Sequence, residues 1–367
     1  MAGTILTVNV GSSSIKCALF TAEPEPRRLH RETIDGAPAS SLEPLMTWID
    51  VHANGQPQTV GYRIVHGGPD YTEPQVVNAD LLRDLDRLIP LAPNHLPDAI
   101  AVIRALFHRL PHATHVACFD TAFHADLPDV ARCLPIPYAY AADGVRRYGF
   151  HGLSYMFLVR ELERLAGSAV AEGRLVLAHL GNGSSLAAVR AKRSADTTMG
   201  MTPIGGVVMS TRSGDLDPGV VAYLARRDGL TADAVEDLLS HQSGLLGISG
   251  VSGDMRTLIE REAHDPRCRL AVDVYAYTIR KAIGGLAAAL GGLDTLVFTG
   301  GIGEHAPAIR TRICEGLEFI GIRLDERQNG VDAPVISAER SSVVVRVIPT
   351  DEELTIARAS YTMLDVH

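Results

Sequence analysis

Ile5-Leu6-Thr7-Val8-Asn9-Val10-Gly11-Ser12-Ser13-Ser14-Ile15-Lys16-Cys17-Ala18-Leu19-Phe20 places two short apolar runs on either side of a turn. A glycine and three serines make the turn, with Asn9 just before it and Lys16 just after. The pattern predicts a β-hairpin whose turn presents backbone N–H groups, small hydroxyls and one lysine to an anion. It is not the nucleotide loop in which Gly-Lys-Ser/Thr opens a helix, because neither a second glycine nor a helical pattern follows. Taken alone, the stretch reads equally well as an ordinary hairpin with a serine-rich turn.

A second copy tips the balance. Leu175-Val176-Leu177-Ala178 runs through His179-Leu180-Gly181-Asn182-Gly183-Ser184-Ser185 into Leu186-Ala187-Ala188-Val189. Asn-Gly between two apolar runs is a strong hairpin signal. Two such turns about a domain length apart predict a duplicated fold with one phosphate-facing turn from each half. A third glycine loop, Thr299-Gly300-Gly301-Ile302-Gly303-Glu304, follows the apolar run Thr295 to Phe298 and precedes a helix-like stretch from Ala306. Its N–H groups are also placed to face an anion or a base.

Composition narrows the function classes. A chain of 367 residues is too long for one comfortable core and predicts two domains. A formal net charge of −9 argues against a nucleic-acid partner, which calls for clustered Lys and Arg. Five scattered cysteines without metal spacing read as reduced thiols of a cytoplasmic protein. The longest apolar run, Ala282 to Leu293, is too short for a membrane span. Met1 leads almost at once into a strand, with no secretory signal pattern.

Taken in order, Thr21 to Pro57 is least informative, with a helix expected from Ser41 anchored by Trp48 and Ile49. Val60 to Gly68 is a strand with Arg63 embedded in it. A buried guanidinium needs a partner, either a structural carboxylate or a phosphate or carboxylate ligand. Helical spacing marks Asp80 to Ile89 and Asp98 to Leu110, separated by the proline-bracketed loop Leu91 to Pro97. Asp120 directly follows the strand His115 to Phe119, where open α/β sheets place ligand-binding groups or where a turn needs a cap. His151, between Gly149 and Gly152, opens a helix from Leu153 to Ala166. It reads as a satisfied histidine, or as a site where something approaches the backbone closely. The long loop Asp196 to Gly219 is too apolar for disorder and holds Arg212. Helices are expected at Thr231 to Leu239 and Pro266 to Leu290. A last strand, Val343 to Ile348, precedes a helix whose start carries Asp351, Glu352 and Glu353. Three acids there suit the helix dipole or a metal ion.

These motifs in this order resemble the acetate kinase family, within the sugar kinase and actin superfamily. The matching stretches are Asn9 to Lys16, Arg63 to Gly68, Phe119 to His124, Tyr148 to Gly152, His179 to Ser185, Thr211 to Pro218, Phe298 to Glu304 and Pro349 to Leu354. The resemblance implies an α/β fold of duplicated actin-like ATPase (ribonuclease H-like) domains flanking a central cleft. The expected carboxylate-side domain is 1–124 plus 354–367, with the C-terminal helix returning to it, and the nucleotide-binding domain is 125–353. The implied reaction is reversible transfer of the ATP γ-phosphoryl group to a short carboxylate, giving an acyl phosphate and ADP. A carboxylate nucleophile is ionised at neutral pH, so alignment, a metal ion and positive charge are needed rather than a strong base.

By resemblance, Arg63 and Arg212 hold the substrate carboxylate and the transferring oxygens, His151 donates to an equatorial oxygen, and Asp120 positions metal or water. Asn9 and Glu352 are the implied ligands of magnesium, with manganese as an alternative. Val65, Asn94, Phe150 and Pro203 line the acyl pocket. Ser12, Ser14, Lys16, His179, Asn182 and Gly183 face the ATP phosphates. Asp254, Arg256, Gly301, Ile302, Gly303 and Glu304 lie along the adenosine. Three departures are visible: Asn94 stands where the family has an apolar wall, Gly205 replaces a usual glutamate, and Asp351 replaces a usual asparagine. A propionate or butyrate kinase would use the same residues, and a non-catalytic ATP-binding switch of the superfamily would lack the paired arginines. The family is typically a cytoplasmic homodimer acting on small molecules, with no nucleic-acid or membrane partner.

Overall fold

The computed structural model describes residues 3–11, 14–53 and 57–364, and in it the opening stretch is a hairpin. β1 (Thr4–Val10) and β2 (Ser14–Thr21) pair antiparallel, with Asn9 opposite Lys16 and Val10 opposite Ile15. β3 (Arg28–Asp35) pairs antiparallel with β2. β4 (Thr59–Ile64) lies parallel to β1, and beyond β5 (Gln75–Val76), β6 (Thr114–Phe119) lies parallel to β4. The sheet order is β3-β2-β1-β4-β6-β5.

The second hairpin builds a second sheet on the same plan. β7 (Leu175–Leu180), β8 (Ser184–Arg190) and β9 (Arg193–Thr197) form an antiparallel meander. β10 (Thr295–Thr299) and β11 (Val344–Val347) add parallel strands beside β7, in the order β11-β10-β7-β8-β9. Leaving out β5, both sheets are a meander with two parallel strands laid against its first strand. This is the expected duplicated, actin-like α/β fold.

The described chain separates into two compact units, one within residues 1–125, 150–157 and 351–367, the other within 126–149 and 158–350. In the second unit, the helix Pro266–Leu290 lays Tyr275, Ile279, Ile283 and Leu286 into a core with Val176, Leu186 and Phe298. β10 is buried along its whole length, as a strand covered on both faces should be. In the first unit, the helix Glu352–Thr362 packs Ile356 and Ala357 against the sheet through two clusters, one with Ile5 and Phe20, the other with Val116 and Cys118. Gly61 of β4 makes this possible, because a Cβ there would lie 2.2 Å from Ser360 Oγ and 2.5 Å from the Ile356 side chain. The close approach brings the acidic start of that helix down beside β1. No helix among the described residues is long and apolar enough to cross a membrane.

Four expectations are corrected. β3 lies in the stretch read as uninformative, and all but one of its residues are exposed, so it carries no alternation of apolar and polar positions. The loop from Asp196 ends early, because Asp217 caps a helix Pro218–Asp228. The segment after β10 is a short helix, Gly300–His305, rather than an open loop. Glu304 Oε1 accepts from Gly300 N at 2.8 Å and Thr299 Oγ1 at 3.2 Å, which caps that turn from within. The helix expected at Asp98 begins at Leu96, with Pro97 in its first turn.

A buried polar pair crosses the first sheet. The Tyr62 hydroxyl lies 2.7 Å from His115 Nδ1, and His115 Nε2 lies 3.0 Å from the Leu110 carbonyl. The carbonyl fixes Nε2 as protonated, and in the neutral ring that burial favours, Nδ1 accepts from the Tyr62 hydroxyl. Burial holds the His115 pKa below its ordinary value of 6.5. Its stabilising contribution is therefore complete above pH 6.5 and is lost as the pH falls toward the lowered folded-state value. Denaturant unfolding between pH 8 and pH 5 is expected to show a loss of stability below about pH 6.5 that is shallower in His115→Gln. Equal slopes in the two proteins would show that His115 does not report on folding.

Candidate active site

The first unit gathers its candidate residues around Arg63. β4 delivers the guanidinium, β1 delivers Asn9, Asp120 follows β6, and the helix from Glu352 supplies carboxylates. Arg63 Nε and Nη2 donate to Asp120 Oδ2 at 3.0 and 2.6 Å, and Nη1 donates to Asn9 Oδ1 at 3.2 Å. Glu352 Oε2 lies 4.0 Å from Arg63 Nε and accepts from Asn9 Nδ2 at 2.9 Å. Glu353, read from the sequence with Asp351 and Glu352 as suiting the helix dipole or a metal ion, accepts from the same Asn9 amide at 3.4 Å.

The electrostatics are those of buried charge held by near neighbours. Burial raises the Asp120 carboxyl above the usual range, and the guanidinium of Arg63 opposes that shift. Burial works to lower the Arg63 pKa, but Asp120, Glu352 and Glu353 outweigh it, so the guanidinium stays charged. Burial and then the neighbouring Glu352 raise Glu353, with exposed Lys16 pulling the other way. Asp120 Oδ1 is buried with no hydrogen-bond partner. A carboxylate oxygen left so is costly unless something cationic or a donor meets it.

His151 sits at the head of the helix Gly152–Ala166, buried, with φ of 58°. Such left-handed backbone at a non-glycine residue costs on the order of 1–3 kcal/mol and persists only where the surroundings hold it. Gly152 N donates to the Asp120 carbonyl at 2.9 Å, and a Cβ on Gly152 would lie 2.1 Å from that same oxygen. The glycine is thus required by close packing of the two segments. Phe150 and Val65 are buried, and the Phe150 ring meets His66 edge-on at 5.4 Å. Asn94 is exposed in the turn before Leu96. Among the phosphate-facing candidates, Ser14 is half-buried at the start of β2, and Ser12 lies outside the described residues.

In the second unit, His179 lies near the end of β7, and Asn182 and Gly183 lie in the β7–β8 turn. Ser210, missed from sequence, donates to the Asn182 carbonyl through its N–H at 3.2 Å and to Asn182 Oδ1 through its hydroxyl at 3.3 Å. The turn at Gly253 packs on Ser210, which brings Asn182 and the start of the Met255–Arg261 helix into one neighbourhood. Asp254 is that helix's cap, accepting from Thr257 N at 3.0 Å and Thr257 Oγ1 at 2.8 Å, and these bonds lower its pKa. Arg256 is exposed. Gly301, Ile302 and Gly303 lie in the short helix after β10. Glu304 Oε1 also accepts from Thr350 N at 3.2 Å, so its carboxylate braces the turn. Arg212 Nη1 donates to the Pro203 carbonyl at 3.1 Å.

Among the described residues, no group of three or more His, Cys, Asp and Glu is spaced to hold a metal ion unaided. Magnesium does not ask for one, since it keeps several waters and takes one or two protein oxygens beside substrate phosphates. The oxygens of Glu352 and Asn9, with the unpartnered Asp120 Oδ1, fit that demand. Burial raises the thiols of Cys17 and Cys118 to about 12, so neither supplies a thiolate nucleophile.

The model of the Acetokinase family matches residues 37–358. An acetate kinase of Rhodopseudomonas palustris (strain TIE-1) is 43% identical, with 100% of this chain and 99% of that protein covered. The crystal structure of Porphyromonas gingivalis acetate kinase superposes with a TM-score of 0.85 at 34% identity, over 99% of this chain and 100% of that one. A propionate kinase from Francisella tularensis superposes with a TM-score of 0.88 at 33% identity, over 98% of this chain and 99% of that one.

Proposed function

The chain belongs to the acetokinase family, and from that premise we propose how its residues transfer the γ-phosphoryl group of ATP to acetate. The reaction is reversible and in-line, gives acetyl phosphate and ADP, and is run by a cytoplasmic homodimer. The observation that carries the assignment is the Arg63 fork on Asp120, with Asn9 and Glu352 beside it. A guanidinium so held is a fixed positive charge for a carboxylate or a phosphoryl oxygen, and it needs no reorganisation when charge develops.

The first unit takes the carboxylate and the second takes the nucleotide. Arg63 orients the acid, with Val65, Phe150, Pro203 and Asn94 around its acyl group. His151 and Arg212 donate to the phosphoryl oxygens, where charge grows as the bond to ADP lengthens. His179, Asn182 and Gly183, with Lys16, Ser14 and Ser12, are assigned to the ATP phosphates. Asp254, Arg256 and the turn Gly301 to Glu304 are assigned to the nucleoside. Asp254 and Glu304 act there through the backbone they brace. Asn9 and Glu352, with Asp120, would hold magnesium largely through waters. When bound, that ion neutralises charge on the β- and γ-phosphates. Asp120 abstracts no proton, because the nucleophile is already ionised.

The test is ATP- and Mg2+-dependent acyl phosphate formation, trapped with hydroxylamine, across formate, acetate, propionate and butyrate. Acetate is expected to give the highest kcat/KM. A peak at propionate or butyrate would keep the mechanism and reassign the acid, and no trapped product from folded, ATP-binding protein would leave only a nucleotide-binding switch. In the same assay Asn94→Leu, which puts an apolar side chain in place of an exposed amide at the proposed acyl pocket, is expected to raise the acetate preference by several-fold. An unchanged acid profile would place Asn94 outside the pocket.

A further inference from the structure

We infer that His124 is a positioning residue for His151, its imidazole pinning the Phe150–His151 peptide in the left-handed turn that aims the His151 side chain. The inference rests on the reading of His151 as a donor to the transferring phosphoryl group.

The buried His124 Nε2 lies 3.2 Å from the Phe150 carbonyl, and a carbonyl partner requires that nitrogen to carry the proton. His124 ends the tight turn that begins at Asp120, with His124 N donating to the Thr121 carbonyl at 3.1 Å. Its ring is wedged edge-on between Phe123, at 5.3 Å, and Tyr155, at 5.7 Å. Tyr155 N in turn donates to the His151 carbonyl at 3.0 Å. One residue further on, Gly152 N reaches back to the Asp120 carbonyl at 2.9 Å.

Two hydrogen bonds from the 120–124 turn therefore bracket His151, one on the peptide before it and one on the peptide after it. The φ of 58° at His151 is what a residue adopts when both flanking peptides are fixed from outside. Because Asp120 starts the same turn and holds Arg63, the histidine and the arginine are registered against one another through it. Errors of about an ångström in such a donor cost on the order of 10²-fold in rate.

The experiment compares His124→Gln, whose side-chain amide reaches as far as Nε2, with His124→Asn and His124→Phe, which do not offer a donor there. Asn and Phe variants are expected to lose about 10- to 100-fold in kcat with nucleotide Kd unchanged, and Gln to stay within a few-fold of wild type. In a His151→Ala background the His124→Asn loss is expected to vanish, since a residue acting only through His151 has nothing left to position. A purely structural role would leave the loss in place there, which would overturn the inference, as would an Asn variant as active as the Gln variant. Should the Phe variant fail to fold, the Gln and Asn pair decides alone. Wild-type turnover in His151→Ala itself would remove the premise, a result distinct from either.

Discussion

Arg63→Ala is expected to lower kcat by about 10³-fold or more, with a second signature that a simple loss of binding would not give. The guanidinium is at once the proposed anchor for substrate and the partner of a buried carboxylate, 2.6 Å from Asp120 Oδ2. Its removal leaves Asp120 in a site whose burial already pushes the carboxyl up. The opposing pull is then gone, so Asp120 takes up a proton at higher pH. The sign follows directly: the acid limb of the kcat profile moves toward neutral pH as the positively charged neighbour is lost. Arg63→Lys restores charge but not the fork across Nε and Nη2, nor the Nη1 bond to Asn9, and is expected to recover only a small part of the rate. Unfolding midpoints and nucleotide Kd, measured alongside, separate this from misfolding. A wild-type rate in either variant would refute the assigned role.

What made the fold legible was a pair of hairpins with glycine-rich turns, which is a local signal. Both first strands, both second strands and the helix Pro266–Leu290 could be read from apolar runs and caps alone. β3 could not, because an exposed edge strand such as Arg28 to Asp35 buries nothing and so has no pattern to read. The helix from Pro218 was legible and was passed over: Asp217 followed by proline is a start signal, hidden inside a stretch judged by its length as a loop. At the candidate site, the residue types were visible, and the resemblance put Asn9 and Glu352 on one metal ion, but the bonds among the residues were not. That Asn9 would bond Glu352, 343 residues away, depends on Gly61 admitting the last helix against β4, and nothing local encodes that. The reach of residues 150–157 into the first unit was likewise invisible. It rests on contacts made far along the chain, among them the bond from Gly152 to Asp120 and the packing of Leu153 on Val116, Cys118 and Ile356.

Arg212→Ala carries the other large expected effect, a loss of about 10³-fold in kcat with the nucleotide Kd and the unfolding midpoint close to wild type. The argument turns on what holds the loop in which Arg212 sits. Gly206 N donates to Asp215 Oδ1 at 2.7 Å, and Asp215 N donates back to the Gly206 carbonyl at 2.8 Å. Backbone bonds from Leu245 to Met209 and from Ser243 to Thr211, 2.9 and 3.0 Å, tie the loop to the segment behind it. None of these uses the Arg212 side chain, so truncating it removes a cation while the backbone that presented it stays braced. Among its bonds are those to the Pro203 carbonyl at 3.1 Å and Met209 Sδ at 3.8 Å, neutral acceptors each worth little to stability beside a charge on a transferring phosphoryl group. A variant that loses stability in step with rate would make Arg212 a brace for Pro203 and move the chemistry away from it. A variant that keeps both would remove Arg212 from the reaction and leave the charge on the three equatorial oxygens to be met by Arg63, His151, Lys16 and the metal ion.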